Sequence, residues 1–135
     1  MKIRYVNGTR IYYAFLAGTR EVMQQRRHLN EINVFPVADG DTGSNLASTL
    51  NHILETVKPT TSIYETLQAI ADASLAGARG NSGMILAQFL NGLASEVHQH
   101  QVMTAERFGQ TLVNSVPYAY DSMATPVEGT MLTVI

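Results

Sequence analysis

The sequence contains no cysteine. Disulfides, thiolate metal sites and cysteine nucleophiles are therefore excluded, as fits a cytoplasmic protein. Basic charge is not in excess: nine Lys and Arg stand against eleven Asp and Glu, for a net charge of -2. No positive field is available to gather nucleic acid or an anionic membrane, so neither is an expected partner. A polyanion bound here must bring cations with it or use backbone N–H groups. No apolar run approaches the roughly 20 residues of a membrane span, so none is expected. The opening MKIRYVNGTRIYYAFLAG has an apolar stretch, but Tyr12 and Tyr13 interrupt it and it flows into the charged TREVMQQRR, against a signal peptide. Internal repeats, low-complexity tracts and domain linkers are missing as well. So is any convincing alternation of strand period, since the β-branched residues fall at helical spacing.

What is present is a chain of 135 residues, 45% hydrophobic and 15% charged. That is globular composition, one domain or less, with enough length to build a core without staples. The chain stops at GTMLTVI just as an apolar segment begins. Such a run needs something to bury against, so the expectation is a piece of a longer protein, lacking its last structural layer.

Helical periodicity recurs along the chain. A first helix is expected from a Thr9 cap to about His28 or Asn30, on Ile11, Phe15, Val22 and Met23 with Ala14 and Gly18. The non-helical NVFPVADGDTGSN follows, where Pro36 pushes Phe35 toward an extended conformation and Gly40 and Gly43 permit turns. A second helix runs from Thr42 or Ser44 to Val57, on Leu46, Leu50, Ile53 and Leu54, and Pro59 closes it. The third opens with the capping box Ser62 to Glu65 and runs to about Ala78 on Ile63, Leu67, Ile70 and Leu75. After GARGNSG a fourth starts near Asn81 or Ser82 and carries Met84, Ile85, Phe89, Leu90, Leu93 and Val97. Thr104 caps a fifth, with Phe108, Leu112 and Val116, which Pro117 should kink. A sixth begins after MATPVEG. Short connections between amphipathic helices imply an all-α antiparallel bundle.

Two segments carry chemistry. In NVFPVADGDTGSN, Asp39 and Asp41 flank a glycine just before a helix start, and in an extended turn side chains two apart point the same way. Two carboxylates held that close repel unless a cation neutralises them. Magnesium suits the pair, because it takes one or two carboxylates and completes its shell with water and substrate phosphates. The N–H groups of Gly43, Ser44 and Asn45 would form an anion site at the helix start. An ordinary N-cap on Asp41 or Thr42 with a plain DG turn would account for part of this, but for neither Asp39 nor the paired glycines. Calcium fits less well, since an EF-hand needs more acids and a distal Glu. In GARGNSG, Gly77, Gly80 and Gly83 bracket Asn81 and Ser82 before another helix. Small residues and exposed N–H groups again make a phosphate seat, to which Ser82 adds a hydroxyl. The segment lacks the lysine of a Walker A loop and the preceding strand of a dinucleotide fingerprint. Alone it reads as a tight turn between helices. Together the two glycine-rich helix starts suggest one polyphosphate site.

The remaining candidates carry less. His28, His52, His98 and His100 are scattered with no zinc spacing, Ser44 and Ser82 lack triad signatures, Arg79 is a lone loop arginine, and Glu128 beside Gly129 could cap the last helix.

In order, LNEINVFPVADGDTGSNL, GARGNSGMILAQFLNGLA and PVEGTMLTVI resemble the N-terminal domain of bacterial fatty acid kinases. That domain is of the DhaL type, also called the DAK phosphatase or Dak2 domain, and the resemblance spans essentially the whole chain. It implies a barrel of about eight antiparallel amphipathic helices, of which five to six would be present here, with the nucleotide at one end. It implies ATP or ADP with two magnesium ions on Asp39 and Asp41. It implies Asn33 as a further candidate metal ligand, the nearest match, at slightly different spacing, to an upstream aspartate of dihydroxyacetone-type members. Thr42, Gly43, Ser44 and Asn45 would border the phosphates, as would Gly80, Asn81, Ser82 and Gly83. Thr130 and Met131 match the segment approaching the nucleotide from the other side. The implied reaction transfers the γ-phosphoryl group of ATP to a fatty acid carboxylate presented by a separate fatty-acid-binding partner, with no particular residue singled out as catalytic. Two other readings stand beside it: a helical fragment that self-associates, for instance as a homodimer through faces left open, and a dihydroxyacetone kinase subunit. The lack of a histidine after Asp41 argues against the second.

Overall fold

The computed structural model describes residues 2–135. Seven helices and a two-stranded ribbon are assigned among them: β1 (Tyr5–Asn7), α1 (Gly8–Gln24), α2 (Arg26–Glu31), α3 (Thr42–Thr56), α4 (Ile63–Gly77), α5 (Gly80–Glu96), β2 (Val102–Thr104), α6 (Ala105–Asp121) and α7 (Met131–Val134). The all-α bundle expected from the periodicity is the fold found. No described helix is long and apolar enough to cross a membrane.

Local chemistry sets the helix starts. Ser62 Oγ accepts the Glu65 N–H at 3.1 Å, and Thr104 Oγ1 accepts the Arg107 N–H at 3.1 Å. Only half of the Ser62 box forms: the Glu65 carboxylate instead accepts the Thr60 hydroxyl at 2.9 Å, and the Ser62 N–H goes to Thr60 Oγ1 at 3.2 Å. Three expectations need correction. Asn7, not Thr9, caps α1, its Oδ1 accepting the Arg10 N–H at 2.9 Å. The first helix breaks at Gln25 into α1 and α2. β1 and β2 pair antiparallel with Val6 opposite Met103, where no strand was expected, because three-residue strands are too short to show an alternation. Through Pro117 the α6 assignment runs unbroken. The carbonyl deprived of a donor is that of Val113, and both residues are exposed, so water can satisfy it.

The core is made by α3, α4 and α5, with Leu50, Ile53, Ile63, Leu67, Ile70, Leu90, Leu93 and Val97 all buried in one cluster. α1 lays Ile11, Tyr12, Phe15 and Val22 against it. Leu75 and Met84, placed on the buried stripes by spacing, are exposed instead. α6 buries Thr111, Ser115 and Ala119; of the expected stripe, Phe108 packs half-buried on the core cluster, Val116 is half-buried and Leu112 is exposed. Its two buried hydroxyls are satisfied within the helix, Thr111 Oγ1 donating to Arg107 O at 2.9 Å and Ser115 Oγ to Thr111 O at 2.7 Å. Small side chains there let α6 pack closely on α5, and a polar but self-satisfied face is invisible to a hydrophobic pattern.

The up-and-down course fixes two ends. At one, the ribbon, the 57–62 connection and the 97–101 connection are tied by backbone bonds: Gly8 N–H to Thr61 O, Ile63 N–H to Gln101 O and Ala105 N–H to Arg4 O, each at 2.9 Å. At the other lie the 32–41, 78–79 and 122–130 connections. Replacing Ile53, which is fully buried, with Ala is expected to cost roughly 2–5 kcal/mol in urea denaturation. Val113→Ala on the exposed side of α6 should stay within about 0.5 kcal/mol.

Candidate functional site

The three connections opposite the ribbon enclose a cavity of about 580 Å³, a volume usual for small-molecule sites. Asn33, Asp39, Asp41, Thr42 and Asn45 line it from the first connection and the start of α3. Gly80, Asn81 and Ser82 line it from the start of α5, and Gly129, Thr130 and Met131 from the segment before and within α7. Segments far apart in sequence therefore share one pocket. No Lys, Arg or His is among its lining residues.

The 32–41 connection is held by two asparagines. Asn33 Oδ1 accepts the N–H groups of Asp41 and Thr42, both at 3.1 Å, while its Nδ2 donates to Val37 O at 3.1 Å. Asn30 Oδ1 accepts the Ser44 N–H at 3.0 Å and its Nδ2 donates to Ser44 Oγ at 2.9 Å. Since Asn45 N–H bonds Asp41 O at 2.8 Å, the donors at the start of α3 are largely occupied by the protein itself. Gly43 is buried, and a Cβ there would run into the Arg26 carbonyl and the side chains of Leu29 and Asn30, so it is a contact point for α2. Ser44 is exposed and engaged with Asn30. Neither lines the cavity. Asp39 is exposed and Asp41 half-buried beside Gly40, which takes φ +64. Among the described residues no third His, Asp or Glu joins them in a group that could hold a metal on its own.

The start of α5 is different. Arg79 is its N-cap without a side-chain cap, and the first helical bond is Gly83 N–H to Arg79 O at 3.1 Å. Among the described residues the N–H groups of Gly80, Asn81 and Ser82 meet no acceptor. Ser82 Oγ is buried and also has no hydrogen-bond partner. A buried unpaired hydroxyl costs about 1–3 kcal/mol, which any ligand oxygen accepting from it would recover. Gly80 has φ +64, and a Cβ there would strike the Asn45 amide, so only glycine lets the two helix starts meet. Arg79 is exposed, its N–H held by Thr49 Oγ1 at 3.1 Å, and it does not line the cavity. Gly83 sits one turn in, packed on Thr49.

The third wall was barely visible in the sequence. Met123, Thr125 and Val127 line the cavity ahead of Thr130, which caps α7 by accepting the Leu132 N–H at 3.3 Å. Apolar Ile32, Phe35 and Val37 line the first connection although each is more than half exposed. The exposed Glu128 carboxylate takes hydroxyl bonds from Thr133 and, at 2.6 Å, from Tyr120. These bonds, Thr133 first, hold Glu128 below the usual carboxylate range. Through the same bond Glu128 raises the Tyr120 hydroxyl above its ordinary value, with desolvation adding to it.

The family follows from comparison of the whole chain. A helical bundle with a glycine- and acid-lined pocket at one end is the class that fold and site define. The DAK2 domain model matches residues 36–135, and the chain belongs to that family. It is 36% identical over 136 aligned positions to Protein YloV of Bacillus subtilis (strain 168), covering 99% of this chain and 25% of that protein. An uncharacterized protein of Staphylococcus epidermidis (strain ATCC 12228) is 33% identical, covering 98% of this chain and 24% of its own length. One from Staphylococcus aureus (strain USA300) is 32% identical with the same coverage. The chain thus spans about a quarter of the length of the curated relatives it matches.

Two outcomes follow from this geometry. Asn33→Ala removes the acceptor of two amides and should cost roughly 1–3 kcal/mol in chemical denaturation. Because the folded pKa of Glu128 is lowered, its contribution is present above the ordinary carboxylate range and is lost as pH falls through that lowered value. For Tyr120 the sign is opposite: its proton is retained to higher pH than in a free tyrosine. The Tyr120 ring carbon signal in NMR should therefore titrate earlier in Glu128→Gln than in the unsubstituted chain.

Proposed function

We propose that the cavity binds ATP or ADP with magnesium, and that the chain is the nucleotide-binding domain of a kinase. One observation carries the reading: two carboxylates line a pocket of nucleotide size that no basic side chain enters, beside a helix start whose donors are unused. A triphosphate would need a cation to enter such a pocket, and Asp39 and Asp41 are the side chains that would hold it. Asp39 and Asp41 would hold the ion or ions; two are implied by the family resemblance. When bound, magnesium supplies charge neutralisation for the acidic side chains and the phosphates alike. The N–H groups of Gly80, Asn81 and Ser82 and the Ser82 hydroxyl then receive phosphate oxygens. Asn33 braces the turn from behind, while Thr42 and Asn45 border the same space. Thr130 and Met131 close the opposite side.

In the longer protein the reaction we infer is attack of a fatty acid carboxylate oxygen on the γ-phosphorus of ATP, with the bond to the ADP oxygen breaking and an acyl phosphate forming. Transfer of this kind relies on alignment and charge neutralisation rather than on a covalent protein intermediate. The acyl chain would be presented by a separate fatty-acid-binding protein. An all-helical bundle with unused backbone donors at the start of α5 supports such chemistry, since the phosphates would meet helix-end dipoles already oriented toward them.

Calorimetry with ATP is expected to show binding that requires magnesium, and ligand at 100-fold over its dissociation constant should stabilise the fold by about 2.7 kcal/mol. Asp39→Asn and Asp41→Asn should each weaken that binding sharply while leaving helical content unchanged; unaltered affinity in both would overturn the metal assignment. Ser82→Ala separates ligand from fold. It deletes an unpaired buried hydroxyl, so the unliganded domain should be as stable or more so, while nucleotide affinity falls about tenfold or more.

A further inference from the structure

We propose that Glu128 is a positioning residue that ties the third wall of the cavity to α6, so that the shape of the nucleotide pocket depends on the Tyr120–Glu128–Thr133 chain of hydroxyl bonds. The proposal rests on the nucleotide reading above for its functional consequence, but the tie itself is a property of the unliganded chain.

The argument starts from how little else holds residues 122–130. The segment has no regular structure, and the bonds it makes are short-range: Ser122 and Met123 N–H to Ala119 and Tyr120 carbonyls, and Thr130 Oγ1 to Val127 O at 2.7 Å. Yet Met123, Thr125, Val127, Gly129 and Thr130 form one wall of the cavity. Its longer-range polar connection runs through one carboxylate. One oxygen of Glu128 accepts the Tyr120 hydroxyl from α6 at 2.6 Å. The other accepts the Thr133 hydroxyl from α7, and Thr133 Oγ1 in turn accepts the Gly129 N–H at 2.9 Å. Because a hydroxyl has a single proton, the bond from Thr133 to Glu128 fixes its lone pairs toward Gly129. Gly129 stands at φ +81, and the acceptor on Thr133 holds that turn closed. Tyr120 is a firm anchor, since its ring packs against the small cluster of Ile85, Ala119 and Leu132. Ile85 and Leu132 themselves line the cavity, so the tie links the wall to the same apolar floor from which it rises. Glu128 is itself exposed and does not line the pocket, so it acts through the segment it holds.

The test uses the 135-residue chain and two readouts. Amide exchange at Gly129 in the unliganded chain, followed by NMR, is expected to quicken about tenfold or more in Glu128→Ala. In the same variant the dissociation constant for magnesium–ADP should rise about tenfold, while the denaturation midpoint hardly moves. Glu128→Gln, which keeps one acceptor oxygen, should recover part of both effects. Tyr120→Phe should quicken exchange alone but add nothing on top of Glu128→Ala, and it also serves as the test if Glu128→Ala fails to fold. Unchanged Gly129 exchange in Glu128→Ala and Tyr120→Phe overturns the tie, as do effects of the two substitutions that add in full. Quickened exchange with unchanged magnesium–ADP affinity overturns the positioning role. Absence of any magnesium–ADP binding by the unsubstituted chain overturns the nucleotide reading, and the exchange measurement then decides the tie on its own.

Discussion

Two carboxylates, Asp39 and Asp41, line a pocket to which, among the described residues, no basic side chain contributes. A polyanion that enters a space lined by acids is repelled unless a cation comes with it. Gly40 at φ +64 sets the turn that carries both acids, and Asn33 clamps the backbone immediately after it. These bonds are made by the protein alone. On the nucleotide reading, that arrangement makes metal and phosphate mutually dependent: the acids need the ion, and a polyanion entering an acidic pocket needs it equally.

The two helix starts that face each other across this pocket have been put to different uses. At α3 the side chains of Asn30 and Asn33 consume the early N–H groups, so the helix end is sealed by the protein. At α5 no side chain caps the helix, and a buried hydroxyl on Ser82 is left without a partner. Unused donors and an orphaned hydroxyl are costly to keep, and one open helix end beside one sealed end gives the pocket a direction. Phosphate oxygens would favour the α5 side, and metal the side of the acids.

Much of this was legible in the residues. The acid pair, the glycine-rich breaks and the helix stripes of α3, α4 and α5 are local patterns, and local patterns survive folding. That the segments around Gly40 and Gly80 share a pocket also follows from helices alternating in direction, since α3 begins where α4 ends and α5 begins. What the sequence hid was long-range or polar. Asn30 caps Ser44 across 14 residues, which no neighbouring motif announces. Nor does any local pattern show that Gly43 packs on α2 or that Ser44 is bonded to Asn30. The fully buried face of α6 is made of Thr111, Ser115 and Ala119, so apolar spacing found only its edge, where Phe108 packs on the core while Leu112 is exposed. The ribbon was missed because three residues carry too little period to register.

The two ends of the bundle are joined to the core in different degrees, and this bears on where function can sit. At the ribbon end, β1, β2 and the 57–62 connection are knitted by main-chain bonds next to the buried Ile63 and Met103, and side-chain bonds among Thr60, Ser62, Glu65 and Thr66 add to them. The main-chain bonds do not depend on side-chain identity, and they anchor the core cluster. At the cavity end the 32–41 and 122–130 connections are longer, Ile32, Val34, Phe35 and Val37 of the first stand exposed, and order comes largely from side chains: Asn30, Asn33 and Glu128. Few buried contacts and side-chain ties mean a low local free energy of opening. A pocket that must admit and release a ligand benefits from that, because the wall can open without disturbing the core packed around Ile53 and Ile70. The same division explains why substitutions at the acids and at Glu128 should alter binding with little effect on the fold: their side chains lie outside the cluster from which the bundle derives its stability.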